Sequence, residues 1–163
     1  MSPASSREPA RRSRRLATEI KDSLRELSNQ LSLLNHQVGA HLDLKDVDLD
    51  CLELITRYGP MSPGALARRA GLHPATMTGV LDRLQKNGWI DRGRDPEAVD
   101  RRAVTVRARR DRNAEVYQLY SGMNSTMDEL LADYSEDELK LLAEFLQRTT
   151  TAGQAATTTL AEA

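Results

Sequence analysis

SPGALARRAGLHPATMTGVLDRLQKNGWIDRGRDPEAVDRRAVTVR, residues 62–107, predicts a helix, a tight turn, a second helix and a charged two-stranded ribbon. Ser62 followed by Pro63 is a typical helix start, and Gly71 is a typical helix end. The second helix is expected over about 74–87. This order of elements places one helix in the major groove of DNA with a basic loop beside it.

The second of these helices has two different faces. Its apolar residues Met77, Val80, Leu81 and Leu84 recur at i, i+3, i+4 and i+7, which predicts one buried stripe. Small and hydroxyl side chains opposite this stripe would lie close to base edges, and the basic ones would hold the phosphate backbone. An ordinary amphipathic surface helix is the alternative interpretation. The predicted DNA-facing set is Pro74, Ala75, Thr76, Thr78, Gly79, Arg83 and Lys86.

The ribbon is expected to have strands at 89–92 and 103–106, with a basic loop between them. An arginine suits the narrow, negatively charged minor groove of A·T-rich DNA, and Asp100 can pair with Arg102 and hold its direction. The alternative is a solvated turn with incidental ion pairs of little energetic value. The predicted contacts of this loop are Arg94, Asp100, Arg101 and Arg102, and Ser62 and His73 are expected at the DNA backbone.

Charge is distributed unevenly along the 163 residues, although the net charge is only −1. Residues 62–112 hold 12 Lys/Arg against 6 Asp/Glu, and residues 1–15 hold 5 Arg against 1 Glu. The remaining segments are acidic. A basic middle between acidic flanks is typical of a DNA-binding protein, although a solvated charged surface would also explain the flanks.

Composition argues against several protein classes. One Trp and one Phe leave little for a large apolar pocket, and no catalytic triad, Gly-rich phosphate loop or metal-ligand spacing indicates an enzyme. No apolar run is long enough to span a bilayer, and the arginine-bearing N-terminus lacks the apolar core of a secretory signal. A single cysteine, Cys51, fits a reducing compartment, so we expect a cytoplasmic protein without cofactor or metal.

The rest of the chain is predicted to be helical. A first helix from Leu16 to about residue 42 carries a seam at spacings of three and four residues, and a second helix is expected over 46–58. A long helix over about 109–133 precedes the capping box Ser135-x-x-Glu138, which starts a last helix that ends near Arg148. The seam residues are Ile20, Leu24, Leu27, Leu31, Leu34 and Val38.

These motifs together resemble the MarR family of bacterial winged helix-turn-helix transcriptional regulators, over about residues 16–148. The resemblance rests on YGPMS at 58–62, Leu66-Ala67, VLDRL at 80–84, NGWIDR at 87–92 and DRRAVTV at 100–106. It implies a homodimer in which each subunit presents a recognition helix and a wing to half of a pseudo-palindrome. In the family, the arginine matching Arg102 enters the minor groove and the aspartate matching Asp100 orients it. Three departures are Gly79, where a polar or basic residue is common, His73 as the cap, and a long wing loop that includes Pro96-Glu97.

The resemblance also implies how the chain is divided. We expect a mainly α fold with a minor β part, in which long N- and C-terminal helices form a dimerisation region at 16–45 and 109–148. A winged helix-turn-helix domain occupies 46–108. Residues 1–15 form a disordered basic arm and the Thr/Ala-rich residues 149–163 a disordered tail.

Sensing of a signal is less clearly encoded. Family ligand pockets lie between the dimer helices and the DNA-binding lobe, and by position His36, Val38, Tyr117 and Tyr120 are candidates for a small-molecule effector. His36 and His41 lie near acidic residues, but their five-residue gap does not stack two imidazoles for zinc. Cys51 lies on the apolar side of its helix without basic neighbours, where a thiol is usually inert.

The sequence therefore predicts a repressor that binds double-stranded DNA as a homodimer. A winged helix used to bind a protein partner is the main alternative, and it predicts no retention on duplex DNA at moderate salt. The paired arginines of the wing argue against it.

Overall fold

The computed structural model describes residues 7–94 and 103–162, with six helices and one two-stranded sheet among them. The mainly α fold class with a minor β part is confirmed. The elements are α1 (Arg7–Leu42), α2 (Asp46–Tyr58), α3 (Pro63–Ala70), α4 (Pro74–Lys86), β1 (Ile90–Arg94), β2 (Val104–Ala108), α5 (Arg110–Leu131) and α6 (Glu136–Ala161).

The hydrophobic core lies in the lobe formed by α2, α3, α4 and the ribbon. The buried face of α2 packs against Leu66 of α3 and against the apolar stripe predicted for α4. This α4 stripe is fully buried. Trp89 and Ile90 close the core from the ribbon side. Since the buried side chains of α4 come from one face, its other face is turned to solvent. The core residues of α2 and α4 are Leu49, Cys51, Leu52, Ile55, Met77, Val80, Leu81 and Leu84.

The ribbon is antiparallel, with Ile90 opposite Ala108 and Arg94 opposite Val104. A further bridge attaches it to the segment before α3, where Met61 and Val106 exchange two backbone hydrogen bonds of 3.2 and 2.8 Å. The strands lie one to two residues later than the alternation predicted. The ribbon is thus fixed to the helical lobe at its base.

Local capping agrees with the sequence pattern. The Ser62 hydroxyl accepts a hydrogen bond from the Ala65 backbone N–H at 3.1 Å. Gly71 ends α3 in the left-handed conformation, with φ 64° and ψ 33°, which costs other residues more than glycine. The capping box of Ser135 and Glu138 is also present at the start of α6. These stop and start signals fix the helix-turn-helix geometry.

The prediction that the whole of residues 1–15 forms a disordered arm is wrong, because α1 begins at Arg7. Alanine, arginine and glutamate favour helix, and a proline is tolerated in the first turn. Adding turns to an existing helix needs no new nucleation, so a good helix-forming segment extends it readily.

The prediction of a disordered tail at 149–163 is also wrong, because α6 continues from the predicted end near Arg148 to Ala161. The threonines of this stretch donate their hydroxyls to backbone carbonyls four residues earlier, at 2.9–3.1 Å. The end of α6 also packs against α3. Tertiary contact, which composition does not show, therefore orders this segment.

The long helices leave much apolar surface uncovered. Leu27 and Leu31 of α1 are 44% and 39% exposed, and Phe145 and Leu146 of α6 are 42% and 48% exposed. Within the described ranges, no helix combines the length and the apolar character that crossing a membrane would need.

Candidate nucleic-acid interface

The outer face of α4 is small and polar, as the sequence predicted. Pro74, Ala75, Thr76, Thr78 and Lys86 are exposed and Gly79 is half-buried, and all lie on a helix whose other face is fixed in the core. The Thr78 hydroxyl donates to the Pro74 carbonyl at 3.1 Å, which leaves its methyl group on the surface. Such a face can approach base edges closely because few side-chain atoms stand between the backbone and a ligand.

Gly79 is not required by the packing of the chain. A Cβ atom placed there would meet only the Arg83 side chain, with Nη1 at 3.4 Å, an ordinary van der Waals distance. The fold does not demand glycine at this position. The effect of the missing side chain is that a ligand can approach the outer face of α4 more closely.

The N-terminus of α4 is capped by His73. Its Nδ1 accepts a hydrogen bond from the Ala75 backbone N–H at 3.2 Å. The imidazole replaces the usual serine or threonine cap. His73 is exposed, and Ser62 is half-buried at the start of α3.

Arg83 is held by a side chain that the sequence analysis did not identify. Its Nε and Nη2 donate to the two carboxylate oxygens of Asp48 at 2.8 and 2.6 Å. The Asp48 side chain is 3% exposed and that of Arg83 is 39% exposed. The hydrogen bonds to Asp48 raise the pKa of Arg83 above its usual value. Arg83 therefore anchors α4 to α2, and the prediction that it holds the DNA backbone must be revised to a role inside the lobe.

A sequence signal for this pair did exist. Asp48, Leu52 and Ile55 share the buried face of α2 at helical spacing, so an acidic residue occupies a position of the apolar stripe. Buried carboxylates are almost always paired, and a partner on α3 or α4 could have been expected.

The base of the wing is joined to α4 and α5 by two further arginines. Arg92 of β1 pairs with Asp82 of α4 at 2.6 Å. Arg112 of α5 stacks on Trp89 at 3.7 Å from the ring centroid and pairs with Glu115 at 3.0 Å. These contacts orient the ribbon relative to the recognition helix.

The wing tip itself is only partly described. Arg94 lies exposed at the end of β1. The predicted contacts Asp100, Arg101 and Arg102 lie outside the described residues, so their roles stay predictions.

A cavity of about 500 Å³ separates α2 from α5. Of the four predicted ligand residues, it brings together Tyr117 and Tyr120. Two are elsewhere: Val38 is 3% exposed in the core, and His36 pairs with Asp46, Nδ1 to Oδ1, at 3.0 Å. Their assignment to the pocket was wrong, because sequence position alone does not give the direction in which α1 presents them. The cavity is lined by Leu52, Glu53, Thr56, Arg57, Asn113, Val116, Tyr117, Tyr120 and Asn124.

The cavity contains ionisable groups with altered acidity. Loss of solvent raises the pKa of the Glu53 carboxyl, and the neighbouring Tyr120 hydroxyl opposes this rise. Burial and then Glu53 raise the pKa of Tyr120, and its hydroxyl donates its hydrogen to Asn35 Oδ1 of α1 at 2.8 Å. Tyr120 thus joins the cavity to α1.

The remaining candidate sensor residues are occupied in packing or local bonding. Cys51 is fully buried, and burial followed by Asp50 and Asp48 raises its pKa to about 12. His41 Nδ1 lies 3.0 Å from the Gln37 carbonyl. Among the residues that the structure describes, no group of three or more His, Cys, Asp or Glu could hold a metal ion.

Comparison with known proteins agrees with this geometry. The family model described as "MarR family" matches residues 44–104. The uncharacterized HTH-type transcriptional regulator YcgE of Bacillus subtilis is 31% identical over 116 residues, which cover 71% of this chain and 74% of that protein. The HTH-type transcriptional repressor YetL of Bacillus subtilis is 29% identical over 92 residues, covering 54% of each chain.

A solved structure described as the crystal structure of MarR superposes with a TM-score of 0.55 at 25% identity, over 82% of this chain and 96% of that one. The matched family consists of transcriptional regulators and not of enzymes. The chain therefore belongs to the MarR family of winged helix-turn-helix, DNA-binding transcriptional regulators.

Proposed function

We propose that this protein is a cytoplasmic repressor that binds pseudo-palindromic duplex DNA as a homodimer. Helix α4 enters the major groove and the wing enters the adjacent minor groove. The observation that carries the proposal is the outer face of α4. There Ala75, Thr76 and Gly79 are small enough for a ligand to approach the helix backbone closely, and the buried stripe of α4 fixes the helix in the core. That surface matches a groove about 12 Å wide that admits one helix.

The dimer is supported by the surface of the chain. It exposes 12583 Å², whereas a compact monomer of 18.2 kDa would expose about 8000 Å². Much of the apolar part lies on the long helices α1, α5 and α6, where Leu31, Tyr117 and Phe145 are all exposed. Monomers rarely leave large apolar surfaces open, so a second copy of the chain is the partner that this surface fits.

The two DNA-binding lobes of such a dimer would lie about 34 Å apart, one turn of the duplex. Within each lobe, Pro74, Ala75, Thr76, Thr78 and Gly79 would face base edges, and Lys86 the backbone. Ser62 and His73 would meet phosphates beside the start of each helix. In the wing, Arg94 and Arg101 would contact the flanking backbone, and Arg102, oriented by Asp100, would enter the minor groove.

Repression and its relief are further parts of the proposal. YetL is named a transcriptional repressor, and a dimer bound across a promoter blocks access to it by occupancy. The cavity between α2 and α5 would take a small effector, with Tyr117 and Tyr120 on one wall and Glu53 and Arg57 on the other. A ligand in this cavity would change how α5 lies against α2, the helix whose Asp48 binds Arg83 of α4.

The test is selection of duplexes from a random pool by the full-length protein. We expect an inverted repeat whose half-sites are one duplex turn apart. Thr78→Ala should then change the preferred sequence, and Arg102→Ala should weaken binding of every selected duplex.

Thr150→Ala is the matched control for Thr78→Ala, because both threonines donate to a carbonyl four residues earlier, at 2.9 and 3.1 Å. It should leave the preferred sequence unchanged. Absence of any enriched duplex, with no retention on DNA at moderate salt, would instead favour a winged helix that binds protein.

A further inference from the structure

The C-terminal end of α6 packs on the helix-turn-helix. Gln154 donates a hydrogen bond to the Tyr58 hydroxyl at 3.3 Å, and Arg69 of α3 stacks on the same ring at 3.8 Å. One turn further on, the Thr157 methyl lies where it would be 2.9 Å from a Cβ placed on Gly71. Gly71 is the left-handed corner between α3 and α4. The tail thus touches the turn that sets the direction of the recognition helix.

Beyond Thr157, the last residues of α6 form one wall of a cleft of about 230 Å³. Thr158, Ala161 and Glu162 line this wall. The opposite wall belongs to the helix-turn-helix and consists of Gly64, Ala67, Arg68, Gly71, Leu72 and Pro74. Gly64 is the second residue of α3 and Pro74 the first of α4, so the cleft beside the tail borders the N-terminal ends of both helices.

Those helix N-termini are the part of a helix-turn-helix that phosphate groups approach. Helix N-termini attract anions through their unpaired N–H groups and dipole, and they commonly contact the DNA backbone. The tail brings the opposite polarity to this place, because the carboxylate of Glu162 and the last carbonyls of α6 are both negative. The DNA backbone and the tail would therefore compete for the same surface, because both are attracted to the positive N-terminal ends of these helices.

We propose that the end of α6 together with its cap Glu162, residues 152–162, is an internal competitor of DNA that docks on the helix-turn-helix and must leave before the duplex can bind. The proposal rests on DNA binding by this lobe. Its occupant is the tail of the same subunit, because the contacts of Gln154 with Tyr58 and of Thr157 with Gly71 lie within one chain. If the docked state holds about nine molecules in ten, release of the tail tightens DNA binding about tenfold.

The experiment compares Thr157→Phe with Thr159→Phe in the full-length protein. Both threonines are exposed and neither lines the cleft, but the Thr157 methyl is the atom that a Cβ on Gly71 would meet, so a phenylalanine at 157 crowds the α3–α4 corner. Both threonines make the same bond to a carbonyl four residues earlier, at 3.0 Å, so the two changes are matched in helix chemistry.

Amide hydrogen exchange measures docking without any DNA. We expect faster exchange at residues 153–161 and at the α3–α4 turn in Thr157→Phe, and wild-type exchange in Thr159→Phe. Unchanged exchange in Thr157→Phe would overturn the docking.

Affinity for a duplex of random sequence at low salt then measures competition, because the contested surface binds phosphate and not bases. We expect about tenfold tighter binding by Thr157→Phe, and faster tail exchange in the wild type when this duplex is added. Equal or weaker binding by Thr157→Phe, or a tail that stays protected on DNA, would overturn the competition. Failure of sequence-specific binding would show separately, as a random pool without an enriched repeat.

Discussion

The Asp48–Arg83 pair predicts an asymmetry between the two substitutions that break it. Arg83→Gln leaves the carboxylate of Asp48, 3% exposed, without its cation. An uncompensated buried charge costs about 3–5 kcal/mol of unfolding free energy. Asp48→Asn keeps an oxygen that accepts from the guanidinium, and Arg83, 39% exposed, can hydrate. Loss of one charge-assisted bond then costs about 1.5–3 kcal/mol.

We therefore expect Arg83→Gln to lower the free energy of unfolding by about 2 kcal/mol more than Asp48→Asn, roughly a thirtyfold difference in the unfolding equilibrium constant. Urea denaturation followed by circular dichroism measures both, with an unchanged m-value as the sign that only stability has changed. The double variant should lose clearly less than the sum of the two, since removing both partners leaves no unpaired charge.

Arg92→Gln is the control, because its partner Asp82 is 63% exposed and such pairs contribute at most about 1 kcal/mol. Equal losses for the two Asp48–Arg83 single variants, or a larger loss for Asp48→Asn, would refute the view that burial of the carboxylate sets the cost.

Four other expectations follow from the described contacts. Cys51, buried and with a pKa raised to about 12, should react with a thiol reagent at pH 8 only after unfolding in urea. Ser135→Ala should lower the free energy of unfolding by about 1 kcal/mol in urea denaturation, since it removes the capping box of α6. Phe145→Asp should shift the mass measured by light scattering from dimer toward monomer, because it places a charge on the exposed apolar face of α6. Lys86→Gln should reduce the salt dependence of DNA affinity by about one counterion per subunit, measured in binding titrations at several salt concentrations.

Much of the DNA-binding lobe could be predicted from the sequence, because its boundaries are set by local chemistry. The bounds of α2 were predicted to the residue, and Ser62 and Gly71 delimit α3 through a side-chain cap and a left-handed turn. The buried stripe of α4 follows from a helical period that any amphipathic helix shares. Each of these signals acts within one or two turns of the chain, so no knowledge of the rest of the fold was needed.

The ends of the two long helices could not be predicted in the same way. A segment rich in arginine or threonine has no apolar face of its own, so composition indicates disorder. The helical state of the last turns of α6 depends on contacts such as Gln154 with Tyr58, which are 96 residues apart in sequence. Pairings at this distance leave no periodic signal in either segment.

The arginines show why charge counted along a sequence overstates what a DNA-binding surface offers. Of the 12 basic residues at 62–112, Arg83 is bonded to a buried carboxylate, and Arg112 is stacked on Trp89 and paired with Glu115. Breaking either arrangement to reach a phosphate would expose a buried charge or an indole. Arg92, in contrast, has an exposed partner, Asp82, from which a phosphate could displace it at little cost. What a basic residue contributes to DNA binding therefore depends on the burial of the group it already holds, and only the fold determines that burial.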